Sequence, residues 1–231
     1  MRFLLRWTWR IILLALIALA ALQFWFLVHI WYWNSHNPES TAFMRARLEI
    51  LQEDDPRARL RHQWVPYQRI SVHLKRAVVA AEDAKFATHN GFDWEGIQKA
   101  YEKNLREGEI VAGGSTITQQ LAKNLFFSGE RAWWRKAQEA VVAVMLETVM
   151  SKRRILEIYL NVIEWGDGVF GAEAAARYHY GTTAAALSAE QAARLAAVVP
   201  SPRRYGPGSN TGYLQRRTQT ILARMNGAQL P

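Results

Sequence analysis

The chain has 231 residues, enough for one anchored domain with a sizeable core and too few for two large ones. It contains no Cys, which excludes a disulfide framework, a thiolate metal site and a cysteine nucleophile. The formal net charge of +9 points to an anionic partner: nucleic acid, anionic lipid head groups or a phosphorylated substrate.

Residues 11–33, IILLALIALAALQFWFLVHIWYW, carry no Asp, Glu, Lys or Arg. As a helix they would extend about 35 Å, enough to span a hydrocarbon core. Arg2, Arg6 and Arg10 precede them, whereas Glu39, Glu53, Asp54 and Asp55 outnumber Arg45 and Arg47 just after. The positive-inside tendency then leaves residues 1–10 in the cytoplasm and the rest outside, which argues against nucleic acid as the partner. Trp25, Trp31, Tyr32 and Trp33 sit toward the outer end, where amphipathic rings favour the interface. The bulky WYWN that follows lacks the small residues of a signal-peptide cleavage site. Gln23 and His29, the polar residues of the span, read as tolerated rather than functional.

Residues 34–60 form a linker and juxtamembrane segment, with Pro38 ending any continuous helix and an amphipathic helix expected over 41–53. The stretch 60–70 reads as irregular. From there helical patterns recur over 71–88, 94–106, 116–127, 134–150, 152–162, 172–180, 188–199 and 213–226, with Gly and Pro at the joins. No alternating run is long enough to argue for a sheet. The expectation is an all-α domain over 61–231, carried on a stalk.

Four stretches carry chemistry. In AAEDAKFATHNG, residues 80–91, Val78, Glu82 and Phe86 share one helical stripe, which places a carboxylate on an apolar face with Asp83 beside it. Such a carboxylate is costly unless it is paired, protonated or used in chemistry. In GGSTITQQLAKNLF, residues 113–126, Thr116 and Gln119 fit a capping box at a helix start. A glycine-preceded helix N-terminus with Lys123 nearby and Arg131, Arg135 and Lys136 following makes a diphosphate cradle; an ordinary capped helix with solvated cations is the competing reading. In RKAQEAVVAVMLE, residues 135–147, Glu139, Ala143 and Leu146 repeat the pattern of an acid in an apolar stripe. Two such acids beside a basic cradle suggest acid–base work on a phosphorylated substrate. The fourth, residues 152–181, reads mainly as scaffold, with Glu157 and Asn161 one turn apart. Between the second and third lies FFSGERAWWRK, suited either to shallow membrane insertion or to core packing.

Together and in this order, EDAKFATHNG, GGSTITQQLAKNLF, RKAQEAVVAVMLE and KRRILEIYLNVIEWGDGVFGAEAAARYHYG resemble the family-51 glycosyltransferases of bacterial peptidoglycan synthesis. The resemblance covers roughly residues 71–207 and implies a lysozyme-like, mostly helical fold with one anchor in the inner membrane and the catalytic domain in the periplasm. It implies polymerisation of lipid II into β-1,4-linked glycan, with inversion and loss of undecaprenyl diphosphate, and no transpeptidation. Carried over by motif, Glu82 is the general base, Asp83 supports it, and Glu139 lies in the donor half. Lys123 and Arg131 would hold the diphosphate, lined by Ser115, Thr116, Gln119 and Gln120, with Lys136 close by. No protein metal site is implied, although Mg²⁺ or Mn²⁺ near Glu139 is compatible with it. Partners would be lipid II, the nascent strand, the bilayer and a cell-wall synthesis complex. A lysozyme-type hydrolase and a non-catalytic anionic-lipid binder are the competing readings.

Overall fold

A computed structural model describes residues 2–109, 113–128 and 133–231. Ten α-helices account for most of these residues: α1 Arg2–Ser35, α2 Ala42–Asp54, α3 Val72–Glu82, α4 Trp94–Glu107, α5 Ile117–Phe126, α6 Trp133–Val149, α7 Lys152–Val162, α8 Ala172–Tyr180, α9 Ala189–Val198 and α10 Gly212–Met225. The all-α expectation holds, and the helix starts follow their capping residues. Thr41 accepts the Met44 N–H at 3.1 Å to open α2, and Asp93 accepts the Gly96 N–H at 3.0 Å to open α4. Capping boxes open α5 (Thr116 with Gln119) and α9 (Ser188 with Gln191).

Two departures matter. First, α3 ends at Glu82 rather than running to residue 88, because Asp83 leaves helical geometry at φ −164°, ψ 77°. Its carboxylate is drawn instead to the backbone of α5, as described below. Phe86 is fully buried without being helical. Second, a small sheet is present. Strands β1 Arg61–His62, β2 Glu164–Gly166 and β3 Val169–Phe170 lie in the order β1-β3-β2, with β1 parallel and β2 antiparallel to β3. Strands of two or three residues are too short to show alternation in the sequence. Gly171, at φ +84°, closes this unit onto α8. A Cβ there would meet the Asn161 carbonyl oxygen at 2.6 Å, so only glycine fits.

The helices form two groups. One packs α3, α9 and α10 together; the other packs α5 against α6 and α7, with α2 on α5. Trp165, Tyr159, Phe86 and Phe170 are the bulkiest fully buried side chains among the described residues.

The anchor helix is longer than expected, and no free stalk separates it from the domain. Over Trp7–Ser35 it is long and apolar enough to cross a membrane, and most of its surface is open. Yet Phe26 and Ile30 are buried, and Gln23 Nε2 donates to the side-chain Oε1 of Gln138 on α6 at 2.9 Å. Phe26 meets Phe126 at 4.9 Å and Phe127 at 5.8 Å between ring centroids. Arg154 of α7 closes the end of α1, donating to the carbonyls of Trp33 and His36 and to Asn37 Oδ1. The guanidinium thereby satisfies carbonyls that a helix terminus leaves orphaned. Of the FFSGERAWWRK stretch, the two Phe rings turn inward onto the anchor, while Trp133 and Trp134 are exposed.

Candidate active site

A cleft of about 940 Å³ opens between the two helix groups. Glu82, as the last residue of α3, contributes from one side with Val199, Pro200 and Arg203 beyond α9. Ser115, Gln119, Gln120 and Lys123 contribute from α5 and its approach, and Arg135, Lys136 and Glu139 from α6. Phe43 of α2 completes the lining on the anchor side. Glu82 and Glu139 thus converge on one groove.

Glu82 is nearly enclosed, its side chain 9% exposed. Gln120 donates to Oε2 at 2.9 Å, and Arg217 of α10 donates to Oε1 at 3.2 Å. Tyr159 orients that glutamine, its hydroxyl donating to Gln120 Oε1 at 2.7 Å. Burial pushes the Glu82 carboxyl above its ordinary value, Gln120 and Arg217 pull it partly back, and the nearby Asp83 charge adds to the rise. Burial and the same two acids hold the Tyr159 phenol well above its ordinary range, so it remains a donor.

Asp83 does not line the cleft. It accepts the Ile117 N–H at 3.0 Å, at the first turn of α5, and both its oxygens lie 2.9 Å from His89 Nε2. Gly91 N–H donates to His89 Nδ1 at 3.1 Å, which makes Nδ1 the acceptor and Nε2–H the donor to Asp83. The α5 terminus is therefore occupied from within. Thr116 Oγ1 takes the Gln119 N–H, Gln119 Oε1 takes the Thr116 N–H, and Asp83 takes the Ile117 N–H. This corrects the expectation of an open anion site at that terminus. Thr116 is 2% exposed and donates to the Gly91 carbonyl rather than facing the cleft.

On the other wall, Glu139 lies between two cations, with Arg135 Nη1 3.2 Å from Oε1 and Lys136 Nζ 3.0 Å from Oε2. Lys136 also donates to Ser115 Oγ at 3.1 Å. Arg135 is buried, and its Nε has no hydrogen-bond partner among the described residues. That leaves a donor inside a cleft of matching charge. Lys123 lines the same wall, whereas Arg131 lies outside the described residues. Both Glu139 oxygens are engaged by cations, and among the described residues no group of three or more His, Cys, Asp or Glu could hold a metal ion. Glu157 and Asn161 are scaffold: they accept the backbone N–H groups of Tyr67 and Val65.

Three site residues escaped the sequence reading. Arg217 reaches Glu82 across 135 positions, Tyr159 reaches Gln120 across 39, and Arg203 lies in a Pro-rich loop; none belongs to a local pattern.

Residues 49–226, a span that contains every cleft residue past α2's first turn, match the family model described as transglycosylase. The chain belongs to the transglycosylase family. Its domain is lysozyme-like, and it is an enzyme that transfers glycosyl groups. The chain is 63% identical to the biosynthetic peptidoglycan transglycosylase of Methylobacillus flagellatus, across 96% of this chain and 97% of the relative. It is 61% identical to the protein of that name from Nitrosospira multiformis, across 98% of both. With the one from Azoarcus sp. it shares 56% identity over the full length of both chains.

Proposed function

We propose that this transglycosylase polymerises lipid II into β-1,4-linked glycan strands at the outer face of the bacterial inner membrane, with residues 1–10 cytoplasmic. Glu82 takes the proton from the acceptor's 4-hydroxyl as that oxygen attacks the anomeric carbon of the growing chain. The bond from that carbon to undecaprenyl diphosphate breaks on the opposite face, so the configuration inverts. Burial suits Glu82 to this role, since a base whose conjugate acid lies above the usual carboxylate range accepts a proton more readily. Gln120 and Arg217 keep it ionised and aimed into the cleft.

The departing diphosphate gains charge as the bond breaks. Lys123, Arg135 and Lys136, with Ser115 beside them, are fixed donors for it, and preorganised charge of this kind contributes several kcal/mol. Glu139 holds Arg135 and Lys136 in place rather than moving a proton, because both of its oxygens are already engaged. Arg131 joins this group by resemblance alone. No step is assigned to a divalent cation. Transpeptidation is not part of the proposal, since the relatives matched over nearly their whole length are named for transglycosylation.

One observation carries the reading: a buried carboxylate and a set of cations line one groove. A lysozyme-type hydrolase would also favour a carboxyl with raised pKa, as its general acid, but has no use for those cations. Full-length enzyme supplied with lipid II should build glycan strands. Glu82→Gln should lower that rate by about 10²–10⁴-fold. Full activity in Glu82→Gln, or release of fragments from finished wall, would overturn the assignment.

A further inference from the structure

The cleft holds one cation that the mechanism above leaves unused. Arg203 follows α9, which packs on α3, and lines the same groove as Glu82. Its side chain is 53% exposed, and its closest carboxylate is Glu164, Nε to Oε2 at 3.6 Å. That separation is an ion pair without a hydrogen bond, so the guanidinium fork is not consumed.

Glu164, on β2, is itself a buried acid outside the transfer chemistry, with its side chain 4% exposed. Its other oxygen accepts the Gly168 N–H at 3.3 Å and lies 3.6 Å from Nε of Arg47 on α2. One enclosed carboxylate thus ties Arg203 to α2, the helix that follows the anchor by a few residues and whose Phe43 also lines the groove.

Two substrates meet in the proposed reaction, and each carries a diphosphate. The donor's leaves. The acceptor's stays, and the acceptor must enter along the wall that bears Glu82, because its hydroxyl has to reach that base. Arg217 on this wall is committed to Glu82. We propose that Arg203, positioned by Glu164, binds the retained diphosphate of the acceptor and so selects a lipid-diphosphate acceptor. This inference rests on the lipid II reading.

The test uses full-length enzyme and a donor whose own 4-hydroxyl is blocked, so that each turnover consumes one acceptor. The acceptors are the same disaccharide on a lipid diphosphate and on a lipid monophosphate. Arg203→Ala should raise KM for the diphosphate acceptor about tenfold and move that for the monophosphate much less, erasing the preference; Arg203→Lys should restore part of it. Glu164→Gln should raise the same KM by a smaller factor and add nothing in an Arg203→Ala background. Equal changes for both acceptors, or no change for either, would overturn the role of Arg203. Additive effects of the two substitutions would overturn the positioning role of Glu164. A wild-type enzyme that transfers to neither acceptor would instead overturn the polymerase reading on which this rests.

Discussion

Glu82 sits between two opposing influences, and its behaviour with pH follows from them. Burial raises its pKa, while the Arg217 charge and the Gln120 hydrogen bond lower it. In the proposed reaction Glu82 works ionised as the base, so kcat/KM should fall on the acid side with a limb above the ordinary carboxylate value. Arg217→Ala removes the charge that favours ionisation, so that limb should move to higher pH in a pH–rate profile; an unmoved limb would separate Arg217 from the base. Stability runs the other way. A carboxyl whose folded pKa exceeds its unfolded one favours folding when protonated, and that contribution is lost as pH rises through the folded pKa. Glu82→Gln should therefore melt no lower than wild type at neutral pH, which separates lost chemistry from lost fold. None of this was legible locally. The sequence pattern marks an acid on an apolar stripe, but its arginine arrives from α10, and no spacing rule links positions so far apart.

At the scale of elements, the sequence speaks clearly wherever a helix carries its own punctuation. The bounds of α7 and α8 match the pattern of apolar spacing and flanking Gly, and the Thr116–Gln119 box opens α5 as its spacing predicts. It misleads where tertiary contacts override propensity. The run 71–88 has helical composition throughout, yet Asp83 leaves the helix to cap α5 and receive His89. The apparent anion site at α5 was the same misreading seen from the other end, since the anion that fills it is the protein's own Asp83. Asp83→Ala would strip the Ile117 N–H of its acceptor and orphan His89 in a half-buried site. A loss of about 2 kcal/mol is expected in denaturant melts, with a weaker Gln120–Glu82 contact and slower transfer to match. Unchanged stability would show that the α5 terminus is held by other means.

For the whole molecule, the decisive feature is how the anchor meets the enzyme. Hydropathy identifies a span but carries no information about which stripe of it will pack on protein, because Phe24 and Phe26 look alike in sequence. They differ in the fold: Phe24 is 67% exposed and Phe26 is 4% exposed against Phe126 and Phe127. Phe26→Ala should therefore lower the detergent-solubilised protein's stability by about 2–4 kcal/mol, and Phe24→Ala by far less. Equal effects in thermal melts would mean that α1 does not dock. The +9 charge, read from composition as a taste for anions, finds part of its use in the cations of the cleft.

Arg154, clamped on the last turn of α1, turns a membrane tether into a mast. A mast of fixed length sets the elevation of the groove, so the enzyme has little freedom to search up and down for its carriers. On the lipid II proposal, substrates would then come to it by sliding sideways within the leaflet, and the polymer would be what travels. Turnover in vesicles should then peak at one hydrocarbon thickness and decline in both thinner and thicker bilayers, whereas a domain on a slack leash would be indifferent to thickness.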